Sequence, residues 1–222
     1  MQGNSRRERL PSCLYIETTN RCNLKCKTCI NYRGRWESER DISLEELMMI
    51  SEQLPGLERC VLHGIGEPLL NKDLTAMIQY LKRRKVTVVF NTNGILLDKE
   101  NQEALVDSSL DELRVSLDAA THSGYKAVRG SDKFDLIISN VRAFAKRLHL
   151  RESSRPKLSL WFVGERQNIR ELPGLIEIAA GLGVKEVHLQ RLVYFLDNVG
   201  YGLARAKEAL TNPDGGVYEL IV

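Results

Sequence analysis

Three cysteines stand close together in the run Cys22-Asn23-Leu24-Lys25-Cys26-Lys27-Thr28-Cys29. Soft thiolates grouped on one short segment are metal-ligand chemistry, suited to zinc or to an iron–sulfur cluster. A gap of three residues followed by a gap of two is not the paired spacing of a zinc site, and a closed structural zinc needs a fourth ligand. Three ligands leave one metal position open, and an open position is where a substrate can be worked on. The apolar run Cys13 to Ile16 just before them reads as a strand. The thiols therefore fall on the loop at its C-terminal end, the edge where α/β proteins hold ligands. A zinc clip completed by His63 and a non-catalytic iron–sulfur electron carrier or redox sensor are the alternatives. The other two cysteines, Cys13 and Cys60, lie inside apolar strands and read as small buried hydrophobes.

Further groups stand at the ends of later strand-like runs. His63-Gly64-Ile65-Gly66-Glu67-Pro68-Leu69-Leu70 comes directly after a second strand. Its glycines permit close backbone approach to a ligand, and its proline stiffens the exit, although a plain turn uses the same residues. Asn91-Thr92-Asn93-Gly94 ends a third strand, and Asn93-Gly94 is also an ordinary turn pair. Ser116 and Asp118 close a fourth, where Ser116 is the better ligand candidate and Asp118 can instead cap the next segment. Arg129-Gly130 lies in the loop beyond, and Gln190-Arg191-Leu192 ends a sixth strand. Trp161 and Phe162 read as core.

The elements that must position these groups alternate along the chain. Strand-like runs occupy 13–18, 59–63, 86–91, 112–117, 158–163 and 184–189, short and rich in β-branched and aromatic residues. Between them Ser43-Leu44-Glu45-Glu46 is a capping box that opens a helix to about Leu54. Leu74, Met77, Ile78 and Leu81 have helical spacing. Asp98 can cap a helix to about Val106, and Phe134, Ile137, Ile138, Val141 and Phe144 mark another. Pro173 and Gly183 frame a fifth, and Leu203 to Leu210 suggests a short sixth. Repeated β–α units imply a parallel sheet with crossover helices. The pattern alone does not separate an open doubly wound sheet from a barrel, but 222 residues suit six strands better than the ~250 residues of a full eight-fold barrel. The expected class is α/β, a partial (β/α)6 TIM-like barrel with parallel strands.

Lys+Arg is 32 against Asp+Glu 29, and the densest basic run, Lys82-Arg83-Arg84-Lys85, reads as the solvated end of a helix. Charge therefore indicates no nucleic-acid partner. No apolar run reaches the ~18 residues needed to cross a bilayer, so no membrane partner is expected. Met1 to Arg9 is polar and arginine-rich, unlike a secretory signal. Five cysteines with three clustered do not make a disulfide framework and suit a reducing compartment, so the expected location is cytoplasmic.

The cysteine triplet followed one β–α unit later by Ile65-Gly66-Glu67-Pro68 resembles the radical S-adenosylmethionine (radical SAM) superfamily. There three such cysteines hold a [4Fe–4S] cluster, and the fourth iron binds the amino and carboxylate groups of S-adenosyl-L-methionine. The resemblance implies that Cys22, Cys26 and Cys29 are the cluster ligands. It implies cofactor contacts at Gly64, Gly66, Glu67, Pro68, Asn93, Ser116, Arg129 and Leu192, with Arg129 directed at the ligand carboxylate and Leu192 at adenine. It further implies reductive cleavage to a 5′-deoxyadenosyl radical that takes hydrogen from a small-molecule or peptide substrate. A reductant such as flavodoxin or ferredoxin would feed the cluster, and the protein would be oxygen-sensitive. Two departures stand out. Ile65 replaces the first glycine of a Gly-Gly-Glu-Pro element, and Thr28 replaces the aromatic residue common before the third cysteine. The phrase Ile16-Glu17-Thr18-Thr19-Asn20-Arg21-Cys22 is similar to the branch of peptide- and sulfatase-modifying enzymes that carry a cysteine-rich, SPASM-type C-terminal extension. No cysteine beyond Cys60 is present here. The expected layout is a polar tail over 1–12, a core domain over 13–210, and 211–222 as a tail or the start of a missing extension.

Overall fold

The computed structural model describes residues 10–33, 37–192 and 209–210. Six strands, β1 (Cys13–Tyr15), β2 (Arg59–Val61), β3 (Thr87–Thr92), β4 (Glu112–Ser116), β5 (Lys157–Gly164) and β6 (Val187–Arg191), form one sheet in the order β1-β2-β3-β4-β5-β6. Every neighbouring pair is parallel. This order decides between the two architectures. A doubly wound sheet reverses its strand order partway, whereas here each right-handed crossover advances one strand and puts its helix on the same face. The result is an open half-barrel with helices outside, in agreement with the sequence pattern.

The crossovers are α1 (Leu44–Glu52), α2 (Leu74–Arg83), α3 (Lys99–Asp107), α4 (His122–Arg129), α5 (Phe134–Leu150) and α6 (Leu172–Gly181). The Ser43 capping box is formed in both directions, and Asp98 accepts from Asn101 N to start α3. The last pattern, Leu203 to Leu210, lies almost wholly outside the described residues. Helix α4, which separates β4 from α5, is not evident from the sequence pattern. Its Thr121 cap and left-handed Gly130 stop are ordinary helix punctuation, but Gly124 in its middle argues against a helix. That glycine is required by packing, because a Cβ there would lie 1.8 Å from the Glu171 carboxylate. Glu171 in turn accepts from Ala120 N, Thr121 N and Thr121 Oγ1, placing an anion at the start of the helix, where the dipole favours it.

One side of the sheet is the core. Leu62, Val88, Phe90, Leu113, Val115, Leu160 and Phe162 are buried against Met77, Ile78, Leu81, Leu105, Ile137, Val141, Phe144 and Leu175 of the helices. Each such side chain contributes about 1.5–3 kcal/mol by leaving water. Alternate residues point the other way, into the half-barrel: on β2 and β3 they include the buried Val61 and Val89, and on β4, β5 and β6 they are mostly polar or aromatic, Glu112, Arg114 and Ser116, then Ser159 and Trp161, then His188. A closed barrel fills this space with branched aliphatics.

Two expectations are corrected. Cys60 is fully buried, and burial pushes its thiol up to about 12, but Cys13 is exposed. Cys13 begins the edge strand β1, which has a neighbour on one side only, so little covers it. Lys82 is not a solvated helix end, since its side chain is 17% exposed and Nζ reaches Asp111 and Val86 O.

Candidate functional site

The cysteine loop leaves β1 at the sheet edge and is fixed before it turns. Thr19 pairs with Asp41, and Arg21 grips the Asp41 carboxylate with Nε at 2.9 Å while Nη2 reaches Leu70 O at 2.8 Å. Asn71 Nδ2 donates to Thr18 O and Ile42 O, at 2.7 and 2.9 Å. The thiols then curl toward one another through a tight turn, Cys29 N donating to Cys26 O at 3.0 Å. All three are half-buried. Burial pushes Cys22 up to about 11, offset by the Leu24 amide and reinforced by Glu67, Cys26 and Cys29. Burial likewise raises Cys29, against the amides of Asn31 and Ile30.

The glycine-rich turn is built onto this loop. Glu67 N donates to Arg21 O at 2.7 Å, and a Cβ on Gly66 would lie 1.9 Å from Thr19 O and 2.8 Å from Arg21 O. The close approach that Gly66 makes possible is thus first an approach to the chain itself. Gly64 is similarly confined by the Glu17 side chain, whose carboxylate accepts from Ile65 N and Gly66 N. Glu67 is 2% exposed and accepts from Thr92 Oγ1, Asn93 N and Leu69 N at 2.7, 2.7 and 3.3 Å. Burial raises its pKa, and those three donors pull the other way. Pro68 opens the short 3-10 turn Pro68–Leu70. Asn93 closes the connection: its Nδ2 donates to Asn23 Oδ1 at 2.7 Å and lies 4.0 Å from Cys22 Sγ.

Arg129 departs from the loop position expected of it. It ends α4, and its side chain is buried to 12% exposure. Its Nη2 meets Asp118 Oδ2 at 2.6 Å and its Nη1 meets Cys26 Sγ at 3.7 Å. Burial alone would make the guanidinium easier to deprotonate, but Asp118, then Cys26, more than reverse this. Asp118 does not cap α4, a task Thr121 performs. Its other oxygen accepts from Val163 N at 2.8 Å, so this one carboxylate ties β5 and α4 to the cysteine loop. Ser116 ends β4 in register with Trp161, facing the interior. Leu192 is buried just past β6, at the sheet edge opposite the cysteines.

Beneath the mouth, the inward residues make a stacked wall. Arg114 lies over the Trp161 ring at 4.4 Å, and His188 stacks on Trp161 at 4.6 Å with 18° between planes. Glu112 fixes the wall by accepting from Arg114 and from Ser159, which itself accepts from Trp161 Nε1. His63 packs its ring edge-on to Tyr15 at 6.5 Å. It belongs to this interior, which removes the reason to place it beside the cysteines as a zinc ligand. Burial, then Arg114, lowers its pKa.

The donor set fits a cluster. The three thiols share one short loop and act electrostatically on one another, Arg129 offers a cation to Cys26, and the Tyr125 hydroxyl and Arg129 Nε are buried nearby without a partner. Among the described residues no three His, Cys, Asp or Glu groups converge on a single-ion position.

The family model described as the Radical SAM superfamily matches residues 16–188. The chain belongs to the radical SAM superfamily. That superfamily uses a [4Fe–4S] cluster and S-adenosylmethionine, and the matched residues include the cysteine loop. It is similar to the Fe-coproporphyrin III synthase of Methanosarcina barkeri, 29% identical over 177 residues, covering 79% of this chain and 43% of the relative. It is 27% identical to the PqqA peptide cyclase of Gluconobacter oxydans over 205 residues, covering 92% and 54%. The chain thus spans about half the length of the curated relatives it matches. The fold is shared with Streptococcus suis SuiB bound to S-adenosylmethionine, at a TM-score of 0.72 and 19% identity over 87% of this chain and 43% of that one.

Three residues join the site that the sequence does not single out, Tyr125, Asn23 and Glu17, and Asp118 serves as a structural pivot and not as a cap. Tyr125 and Arg129 stand four apart, a relation that gains meaning only once α4 is recognised as a helix.

Proposed function

We propose that this chain is the radical-generating core of a peptide-modifying enzyme, with residues 13–210 as its core domain. Its carrying observation is the polar, charge-balanced wall that faces the half-barrel below the cofactor end. The relatives include a peptide cyclase and a porphyrin-directed synthase, so family membership does not choose the substrate. The wall offers a reason to choose. Arg114 is neutralised by Glu112, and Lys157 by Glu186 at 2.6 Å. Among the described inward cations of the strands only Arg59, at the start of β2, has no carboxylate partner, which is too little to meet a polyphosphate or a ring of carboxylates. What remains are half-buried rings and hydrogen-bonding groups, which suit a neutral, amide-bearing chain.

A cluster with S-adenosylmethionine bound at this end would supply the hydrogen-abstraction chemistry. This chain's own residues do the holding. Cys22, Cys26 and Cys29 would ligate the cluster. Gly64, Gly66, Glu67 and Pro68 would shape the turn that meets the methionine end, with Glu67 acting from behind, since its carboxylate is already occupied by Thr92 and Asn93. Ser116 and Leu192 would meet the nucleoside. Arg129 would offer its remaining donor to sulfur or carboxylate. Trp161 and Arg114 would hold the substrate segment against one C–H bond, where orientation supplies much of the rate. An external one-electron donor such as flavodoxin or ferredoxin would complete the cycle.

The test is anaerobic reconstitution with iron, sulfide, S-adenosylmethionine and dithionite. The expected outcome is about four irons and four sulfides per chain, abolished by alanine at Cys22, Cys26 or Cys29 and retained in Cys13→Ala. Slow release of 5′-deoxyadenosine should accelerate with a peptide substrate and not with nucleoside triphosphates. Stoichiometric zinc without labile sulfide would overturn the reading.

A further inference from the structure

One face of α4 carries two buried donors that the fold leaves without acceptors. Tyr125 is 1% exposed, and its hydroxyl has no hydrogen-bond partner. Arg129, one turn later on the same face, uses Nη1 on Cys26 and Nη2 on Asp118 while its Nε is buried and unpartnered. This end of the helix is pressed onto the cysteine loop. Lys27 N donates to Val128 O at 3.3 Å, and a Cβ on Gly130 would lie 3.4 Å from Lys25 O. The titratable groups that act on the phenol are Arg129, Cys26, Asp118 and Cys22. Burial pushes the phenol up to about 12, which keeps its proton in place. Both Asp118 oxygens are already taken, by Arg129 and Val163 N.

An unmade hydrogen bond in a buried site carries the full desolvation cost of the donor, so a donor held there points to an acceptor that arrives with the cofactor. Sulfur on the cluster side is such an acceptor, and hydrogen bonds to cluster sulfurs help set the reduction potential. We propose that the Tyr125 hydroxyl donates to a cysteinyl or inorganic sulfur of the cluster and raises its reduction potential. The reduced cluster carries one more negative charge, so a donor beside it favours reduction. This makes Tyr125 a positioning residue for the electron-transfer step, and the inference rests on the cofactor assignment above.

The experiment is Tyr125→Phe in the full chain, reconstituted anaerobically and titrated by EPR at controlled potential without S-adenosylmethionine. Iron and sulfide should match the parent. At the parent's midpoint the ratio of reduced to oxidised cluster should fall about three- to tenfold, a tenfold change being about 59 mV for one electron. In the cluster-free protein the variant should melt no lower than the parent, because the lost hydroxyl had no partner. Should the variant fail to fold, 3-fluorotyrosine at position 125, a better donor, should shift the midpoint the opposite way. An unchanged potential at full cluster occupancy would overturn the proposal, as would an effect seen only on S-adenosylmethionine affinity. A parent chain that takes up no cluster would instead overturn the cofactor reading itself.

Discussion

The two ends of the half-barrel are held in different ways. Around the cysteine loop nearly every polar group is tied to backbone: Glu67 to Asn93 and Leu69, Asn71 to Thr18 and Ile42, Arg21 to Leu70. Along the inner wall of β4, β5 and β6 the contacts are ring on ring and cation on ring, with Glu112 as the anchor. Backbone tethers fix a loop to within tenths of an ångström, as a shared cofactor requires. Stacked side chains on regular strands can be exchanged without disturbing the sheet, as a changing substrate requires.

Substitutions at the two ends should therefore fail differently. The largest effect is expected from Gly66→Val, whose side chain would collide with the backbone of Thr19 and Arg21. We expect iron incorporation to fall at least tenfold, since the loop cannot close around three ligands. Full cluster content with weakened S-adenosylmethionine binding would mean that the turn serves only the ligand. Next is Asp118→Asn, which keeps an acceptor for Val163 N and leaves the buried Arg129 charge unpaired. Breaking such a pair by removing one partner costs about 3 kcal/mol or more, a Tm fall of about 6–12 °C for a chain of this size. A fall under about 2 °C in thermal unfolding would show the carboxylate to be dispensable.

At the wall the expected losses are smaller and concern substrate. Trp161→Leu removes the face shared by Arg114 and His188, interactions worth about 0.5–2 kcal/mol. Peptide-stimulated turnover should fall about threefold to thirtyfold while iron content stays at the parent level, as read by 5′-deoxyadenosine release and iron assay. Loss of the cluster in this variant would erase the distinction between the two ends. The smallest effect is a pH dependence from His63. Burial, then Arg114, holds its pKa below the ordinary 6.5. The folded state therefore takes up its proton less readily than the unfolded chain. Stability tied to the neutral ring is complete above about 6.5 and is lost as pH falls from there through the lowered folded value. His63→Gln should flatten that part of the Tm-against-pH curve, and an identical curve would place the charge elsewhere.

What could be read along the chain is local. Cys22, Cys26 and Cys29 fall within eight consecutive residues, and their spacing points to a cofactor because a loop ligand set needs no distant partner. The capping box at Ser43 and the apolar stripe of α2 are equally plain, being made by neighbours three and four apart. The half-barrel itself accords with repeated β–α units, while its distinction from a doubly wound sheet rests on strand order, which periodicity does not encode. Only the tertiary structure decided that Arg129 is a buried pivot between Asp118 and Cys26, eleven and 103 residues away, and that Cys13 lies open on an edge strand. It alone also revealed that Gly66 is needed for the chain to pass itself, and that Arg114, Trp161 and His188 stack across three strands. Each of these depends on which segments sheet pairing brings together. Such contacts arise between residues distant in sequence, each of which looks ordinary among its own neighbours.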